Sequence, residues 1–105
     1  MPRLLLRPAA EADLARLYHY ISERSGSRDI AIGYVRRIRA QCEALLTFPE
    51  RGHRRDDLRP GVRIVGFEKR VVIAYAILPH GDVEIGRVFY GGRNYEALLS
   101  EGGQA

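Results

Sequence analysis

A single cysteine, Cys42, leaves the chain unable to form an internal disulfide, so its fold does not depend on an oxidising compartment. Long apolar runs are missing too. The longest early one, Leu4-Leu5-Leu6, is bracketed by Arg3 and Arg7, far short of a membrane span or the apolar core of a signal peptide. These absences make the cytoplasm the expected location, with no membrane contact. Also lacking are a phosphate-binding Walker loop, a dinucleotide-binding glycine motif, zinc-ligand spacing and a nucleophile elbow. His19, His53 and His80 fall in a helix, a basic loop and a turn, and no two stand at metal-ligand spacing. No cofactor and no metal is therefore expected.

What is present is an ordinary apolar fraction of 46%, a charged fraction of 29% and an unevenly placed basic excess. At 105 residues the chain has the length of one domain with one real core. The expected domain spans residues 1–99, followed by a frayed tail over 100–105. The net charge is +4, and residues 51–70 hold all of it: Arg51, Arg54, Arg55, Arg59, Arg63, Lys69 and Arg70 stand against Asp56, Asp57 and Glu68. All but one of those cations are arginine, whose planar fork matches carboxylates and phosphates. A solvated loop explains the run as well as an acidic partner or a nucleic acid does.

Periodicity supplies the elements. Arg3 to Arg7 reads as a short strand stopped by Pro8, which suits the first turn of a helix. From Ala9 to Arg24, Leu14, Leu17, Tyr18 and Ile21 recur at helical spacing. Ser25-Gly26-Ser27 ends that helix, and Ser27 can cap the next. From Asp29 to Thr47, Ala31, Tyr34, Val35, Ile38, Cys42, Leu45 and Leu46 make a second apolar stripe, which Pro49 closes. Arg51 to Gly61 is a polar, basic loop. Val62–Phe67, Val71–Leu78 and Val83–Tyr90 then read as strands, with Pro79-His80-Gly81-Asp82 as a turn. The order β-α-α-β-β-β predicts an α+β fold, a helical hairpin packed on a mostly antiparallel four-stranded sheet.

The most informative stretch is the last strand and its exit, Val83-Glu-Ile-Gly-Arg-Val-Phe-Tyr-Gly-Gly-Arg-Asn-Tyr95. Glycine allows a sharp turn where the strand stops. Arg87, Tyr90, Arg93 and Tyr95 are thereby expected to gather at one sheet end, able to grip an anionic or flat partner. Arg87, inside a strand, is equally suited to an ion pair within its own sheet. Cys42 lies on an apolar stripe and reads as a buried, inert thiol. Tyr20 and Ile30 fall off the core-facing side of the hairpin.

The layout, with Asp13-Leu14, Phe48-Pro49-Glu50-Arg51-Gly52, the Arg63 strand, Val72-Val-Ile-Ala-Tyr75 and Arg87-Val-Phe-Tyr-Gly-Gly-Arg93, resembles the ParE branch of the RelE/ParE toxins of bacterial type II toxin–antitoxin pairs. The likeness runs from the first strand to Leu99. Where that family usually has His and then Gly-x-Arg-Asp, this chain has Tyr90 and Asn94.

The resemblance implies two activities. RelE-like members cut mRNA on the ribosome, which needs proton transfer and cations around a crowded phosphate. The positions that carry their basic residues are Arg63, Val65 and Val72 here, and a valine cannot stabilise a phosphorane. ParE-like members trap DNA gyrase on cleaved DNA, which is binding rather than catalysis by the toxin. The second activity is the expected one, with no catalytic residue. The sheet end (Arg87, Tyr90, Arg93, Tyr95) and the basic loop (Arg51, Arg54, Arg55, Arg59, Arg63) are the candidate gyrase contacts, without direct sequence-specific binding of nucleic acid. The resemblance also implies a ParD-like antitoxin as partner, and Leu14, Leu17, Tyr18, Ile21, Tyr34 and Ile38 are the candidates to meet it. A basic binding module without toxicity is a third reading that the residues leave open.

Overall fold

Arg7 and Pro8 turn a strand into a helix within two residues. Arg7 is extended (φ −68°, ψ 155°), and Pro8, at the first helical position, gives up an N–H that would have had no partner there. The computed structural model, which describes residues 1–101, runs β1 (Leu4–Leu6), α1 (Pro8–Ser25), α2 (Arg28–Ala44), β2 (His53–Arg54), β3 (Arg63–Phe67), β4 (Val71–Ile77), β5 (Val83–Tyr90) and α3 (Tyr95–Glu101). Gly26 ends α1 in the left-handed region at φ +70°. Ser27 caps α2, its side chain accepting the Ile30 N–H at 3.2 Å. Among the described residues no helix is long and apolar enough to cross a membrane.

The sheet order is β1-β5-β4-β3-β2. β1 lies parallel to β5, and the other neighbours are antiparallel. The sheet thus has five strands rather than the four expected, because His53 and Arg54, inside the supposed loop, pair with Ile64 and Arg63. α2 stops at Ala44 rather than Thr47, its last apolar residues turning over into the connection. Opposite β4 the register shifts between Ala74, which faces Arg87, and Tyr75, which faces Ile85. One residue of β5, Gly86, is therefore extra, and this bulge re-aims the side chains beyond it, from Arg87 onward.

On one face of the sheet the hairpin contributes Leu14, Leu17, Ile38, Cys42 and Leu45. They pack on Val71, Ile73, Tyr75, Val83, Ile85 and Val88. Ile38 is fully buried, and cutting it to alanine would cost about 2–5 kcal/mol. The reverse face carries a smaller core of Val62, Ile64, Ala74, Phe89 and Leu99, with Tyr95 and Leu98 against it. The periodicity of the chain predicts no cover for that face. α3 and the end of the basic loop supply it, and Ser100 and Glu101, expected in a frayed tail, belong to α3. The rest of that supposed tail, 102–105, lies outside the described residues.

Candidate functional site

β1 protects β5 only as far as Ile85, where the Arg7 N–H reaches the Ile85 carbonyl at 2.9 Å. Beyond that point β5 is a sheet edge, and its next outward N–H needs an acceptor. Asp13 provides one. From α1 it is carried over the edge, buried at 5% exposure, and its Oδ2 accepts the Val88 N–H at 2.8 Å. Arg87 donates to the same carboxylate twice, Nε to Oδ2 at 2.8 Å and Nη2 to Oδ1 at 3.1 Å. Arg16 adds a third cationic donor, 2.8 Å from Oδ1. The bond to Asp13 raises the Arg87 guanidinium above its already high value, against the opposing pull of burial.

Above this anchor a groove of about 390 Å³ opens between α1 and the end of β5. Arg16, Leu17 and Tyr20 form one wall, Val88 and Tyr90 the other, and Arg70, Gly91 and Arg93 close one end. Gly91 and Gly92 both sit at φ +77°, a conformation that any side chain would strain. The Gly91 N–H donates to the Arg70 carbonyl at 2.9 Å, tying the β3–β4 turn to the exit of β5. That bond brings Arg70 to the groove.

The aromatic rings form a ladder across the sheet end. Tyr90 meets Tyr20 edge-on at 5.7 Å between centroids and Tyr34 at 6.0 Å, and Tyr34 meets Phe67 at 6.2 Å. Arginines stand over two of its rungs, Arg24 at 5.5 Å from the Tyr20 centroid and Arg37 at 5.1 Å from that of Tyr34. Burial pushes the Tyr34 phenol up, and the neighbouring Tyr90 and Glu68 add to this. Tyr34 stays neutral and hydrogen-bond-competent at physiological pH.

Of the four residues expected at the sheet end, the fold brings two into the groove. Tyr90 is central to it and Arg93 stands at its rim, its guanidinium 5.9 Å from the Phe89 centroid. Arg87 is engaged beneath, on Asp13. Tyr95 is on the reverse face, packed on Phe89 at 6.2 Å. Sequence reasoning did not assign Arg16 or Arg70 to the site, since neither helical period nor strand alternation shows which arginines meet across the fold.

Two of the five arginines of the basic loop are paired with carboxylates, and a third is turned inward. Arg54 pairs with Asp56 at 3.1 Å, and Arg55 with Asp57 at 2.9 Å and Glu96 at 2.8 Å. Arg63 is turned inward to loop carbonyls, Gly52 at 3.0 Å and Glu50 at 3.3 Å. The Tyr75 hydroxyl completes this clamp, donating to Pro49 at 2.7 Å and accepting from the Gly52 N–H at 2.9 Å. Arg51 and Arg59 remain exposed.

The six residues expected to meet an antitoxin divide by burial. Leu14, Leu17 and Ile38 are core, because a two-helix layer has only one face against the sheet and they occupy it. Tyr18, Ile21 and Tyr34 are half-buried at its margins, whereas Tyr20 (45%) and Ile30 (57%) are exposed. Among the described residues no three His, Cys, Asp or Glu side chains converge as a metal site.

A helical hairpin on a five-stranded mixed sheet, carrying an arginine- and tyrosine-lined groove at the sheet end, defines a small basic α+β domain of RelE/ParE-like architecture. Residues 4–95 match the family described as ParE toxin of type II toxin-antitoxin system, parDE, and the chain belongs to that family. Its fold is also similar to that of a solved chain described as "Chromosomal ParDE TA system from P. aeruginosa". The TM-score is 0.74 at 24% identity, covering 87% of this chain and 97% of that one. No curated protein matches the sequence.

Proposed function

We propose that this chain is a cytoplasmic toxin that traps DNA gyrase on cleaved DNA and is held inactive by a ParD-like antitoxin. The observation that carries this reading is the family match over residues 4–95. The site supports the choice of target. Where mRNA-cutting relatives place basic residues on the middle strands, Val65 and Val72 are apolar. Arg63, the one cation left there, is spent on the carbonyls of Glu50 and Gly52. The groove offers cations and rings for a contact but no base poised beside an acid.

Within this reading Tyr90 and Arg93 make the gyrase contact, joined by Arg16, Tyr20 and Arg70, and the exposed Arg51 and Arg59 of the basic loop add a second contact away from the groove. Arg87 supports them from below through Asp13, and Tyr95 from the reverse face. An acidic antitoxin segment, disordered alone, would fold onto the basic groove and the exposed side of the hairpin at Tyr20 and Ile30.

The test is plasmid supercoiling by purified gyrase with ATP and the antitoxin-free protein. Loss of supercoiling with linear plasmid accumulating is the expected result. Undiminished supercoiling at an excess of folded protein would remove gyrase as the target, and mRNA cleavage in a translating extract would then put the ribosome in its place.

A further inference from the structure

The groove has more cation than its own acids can neutralise, and it places that charge beside an exposed ring, Tyr20. Among the described residues Asp13 is the one carboxylate lining it, and its oxygens already take the Val88 N–H, Arg87 and Arg16. Among the described residues neither Arg70 nor Arg93 has an ion-pair partner. The Arg16 side chain stays 64% exposed despite its bond to Asp13. Tyr20, 45% exposed, borders these cations, with Tyr90 edge-on behind it and Arg24 above its ring. A peptide of acids alone would use the arginines and leave the Tyr20 ring idle. A ligand that strings flat π faces along a chain of negative charges uses both.

We infer that this groove binds single-stranded nucleic acid without sequence preference, Arg16, Arg70 and Arg93 taking phosphates and Tyr20 receiving a base. Base–aromatic stacking tolerates any sequence because every base has a π face, and arginine guanidiniums accept bases in the same way. A duplex, whose bases are stacked on one another, has no such face to offer Tyr20. The inference rests on the proposed function in one respect: a toxin that holds cleaved DNA in place would grip single strand freed at the break as well as the enzyme.

The experiment is fluorescence anisotropy of end-labelled oligo(dT) titrated with the full chain, without gyrase, between about 50 and 200 mM salt. Oligo(U), a duplex of the same length and an oligoglutamate peptide serve as competitors. Three phosphate contacts on a single strand predict a slope of log K against log salt of about −2. Arg93→Ala and Arg70→Ala should each make that slope shallower by about 0.7. Tyr20→Ala should weaken binding roughly tenfold at unchanged slope. Arg3→Ala, at the opposite end of β5 beside Asp82, is the charge control and should change little. Stronger competition by oligo(U) than by oligo(dT) would name RNA as the source of the strand, and the reverse order DNA; either supports the chemistry of the groove. No binding at low salt, oligoglutamate competing as well as oligo(dT), or Arg3→Ala matching Arg93→Ala would each overturn it. Failure here is separable from failure of the gyrase reading. A chain that binds oligonucleotide but leaves supercoiling intact keeps the groove and loses the target; one that poisons gyrase without binding oligonucleotide does the reverse.

Discussion

Asp13 and Arg87, 74 residues apart in sequence, meet through two hydrogen bonds of 2.8 and 3.1 Å at the edge of β5 that β1 leaves unpaired. The same carboxylate accepts the Val88 N–H, so one side chain both closes the sheet edge and fixes the arginine below the groove.

The two partners are unequal, and their variants should show it. Asp13→Ala strands a partly buried guanidinium and a backbone N–H together, an expected cost of about 3–5 kcal/mol. Arg87→Ala leaves Asp13 with Arg16 and Val88, and should cost at least about 1 kcal/mol less. Urea unfolding of both variants measures the difference. Equal losses would mean that the Val88 cap contributes nothing.

A second clamp holds the start of the basic loop. A Cβ added at Gly52 would lie 2.6 Å from the Tyr75 hydroxyl oxygen and 2.9 Å from the Ile64 carbonyl oxygen, and the second of these is backbone that cannot swing aside. Gly52→Ala should therefore destabilise by about 2 kcal/mol or more. Tyr75→Phe removes both hydroxyl bonds and leaves the Gly52 N–H unpaired, at about 1–3 kcal/mol. Faster amide exchange confined to residues 50–54 is the signature expected of Tyr75→Phe. Protection unchanged there would show that Arg63 alone holds the loop.

The helices and long strands were legible because each carries a strong period: Leu14, Leu17, Ile38, Cys42 and Leu45 mark one face, and Val71 to Ile77 is nearly all apolar. β2 was not, since two residues, His53 and Arg54, are too few to show alternation. α3 hid for the same reason, a seven-residue helix whose apolar members Tyr95, Leu98 and Leu99 fill less than two turns. At the site, local sequence pointed to Tyr90 and Arg93 through the Gly91-Gly92 turn. It could not reveal that Asp13 would claim Arg87 or that Tyr95 would fall on the reverse face. Those placements result from the Gly86 bulge and from α3, which no period announces.

Cys42 gives a pH dependence with a definite sign. Burial pushes its thiol up to about 11 from an ordinary value of 9.0, because a thiolate would lose its hydration among Leu14, Ile38 and Leu45. A raised folded value means that the stabilising preference for the neutral thiol is complete below pH 9 and is lost as pH rises through 11. About 3 kcal/mol disappears across that window. Cys42→Val should flatten the fall in urea midpoint between those pH values. Rapid iodoacetamide labelling of the native chain at neutral pH would contradict a thiol held this way.

On the proposed gyrase reading, the groove variants separate contact from support. Arg93 is exposed and stands at a glycine turn, so Arg93→Ala should fold as well as the parent while losing at least about tenfold in gyrase poisoning, or about 1.4 kcal/mol of contact. Tyr90→Ala removes a ring that touches both Tyr20 and Tyr34, and should lose activity together with roughly 1–3 kcal/mol of stability. Tyr90→Phe keeps those contacts and should retain stability, so any activity it loses reports the hydroxyl alone. Tyr95→Ala, on the far side of the sheet, should cost stability through Phe89 and keep activity wherever the variant is folded. Supercoiling assays paired with melting curves sort the four variants. An Arg93→Ala protein that melts normally and poisons gyrase fully would place the contact elsewhere on the molecule.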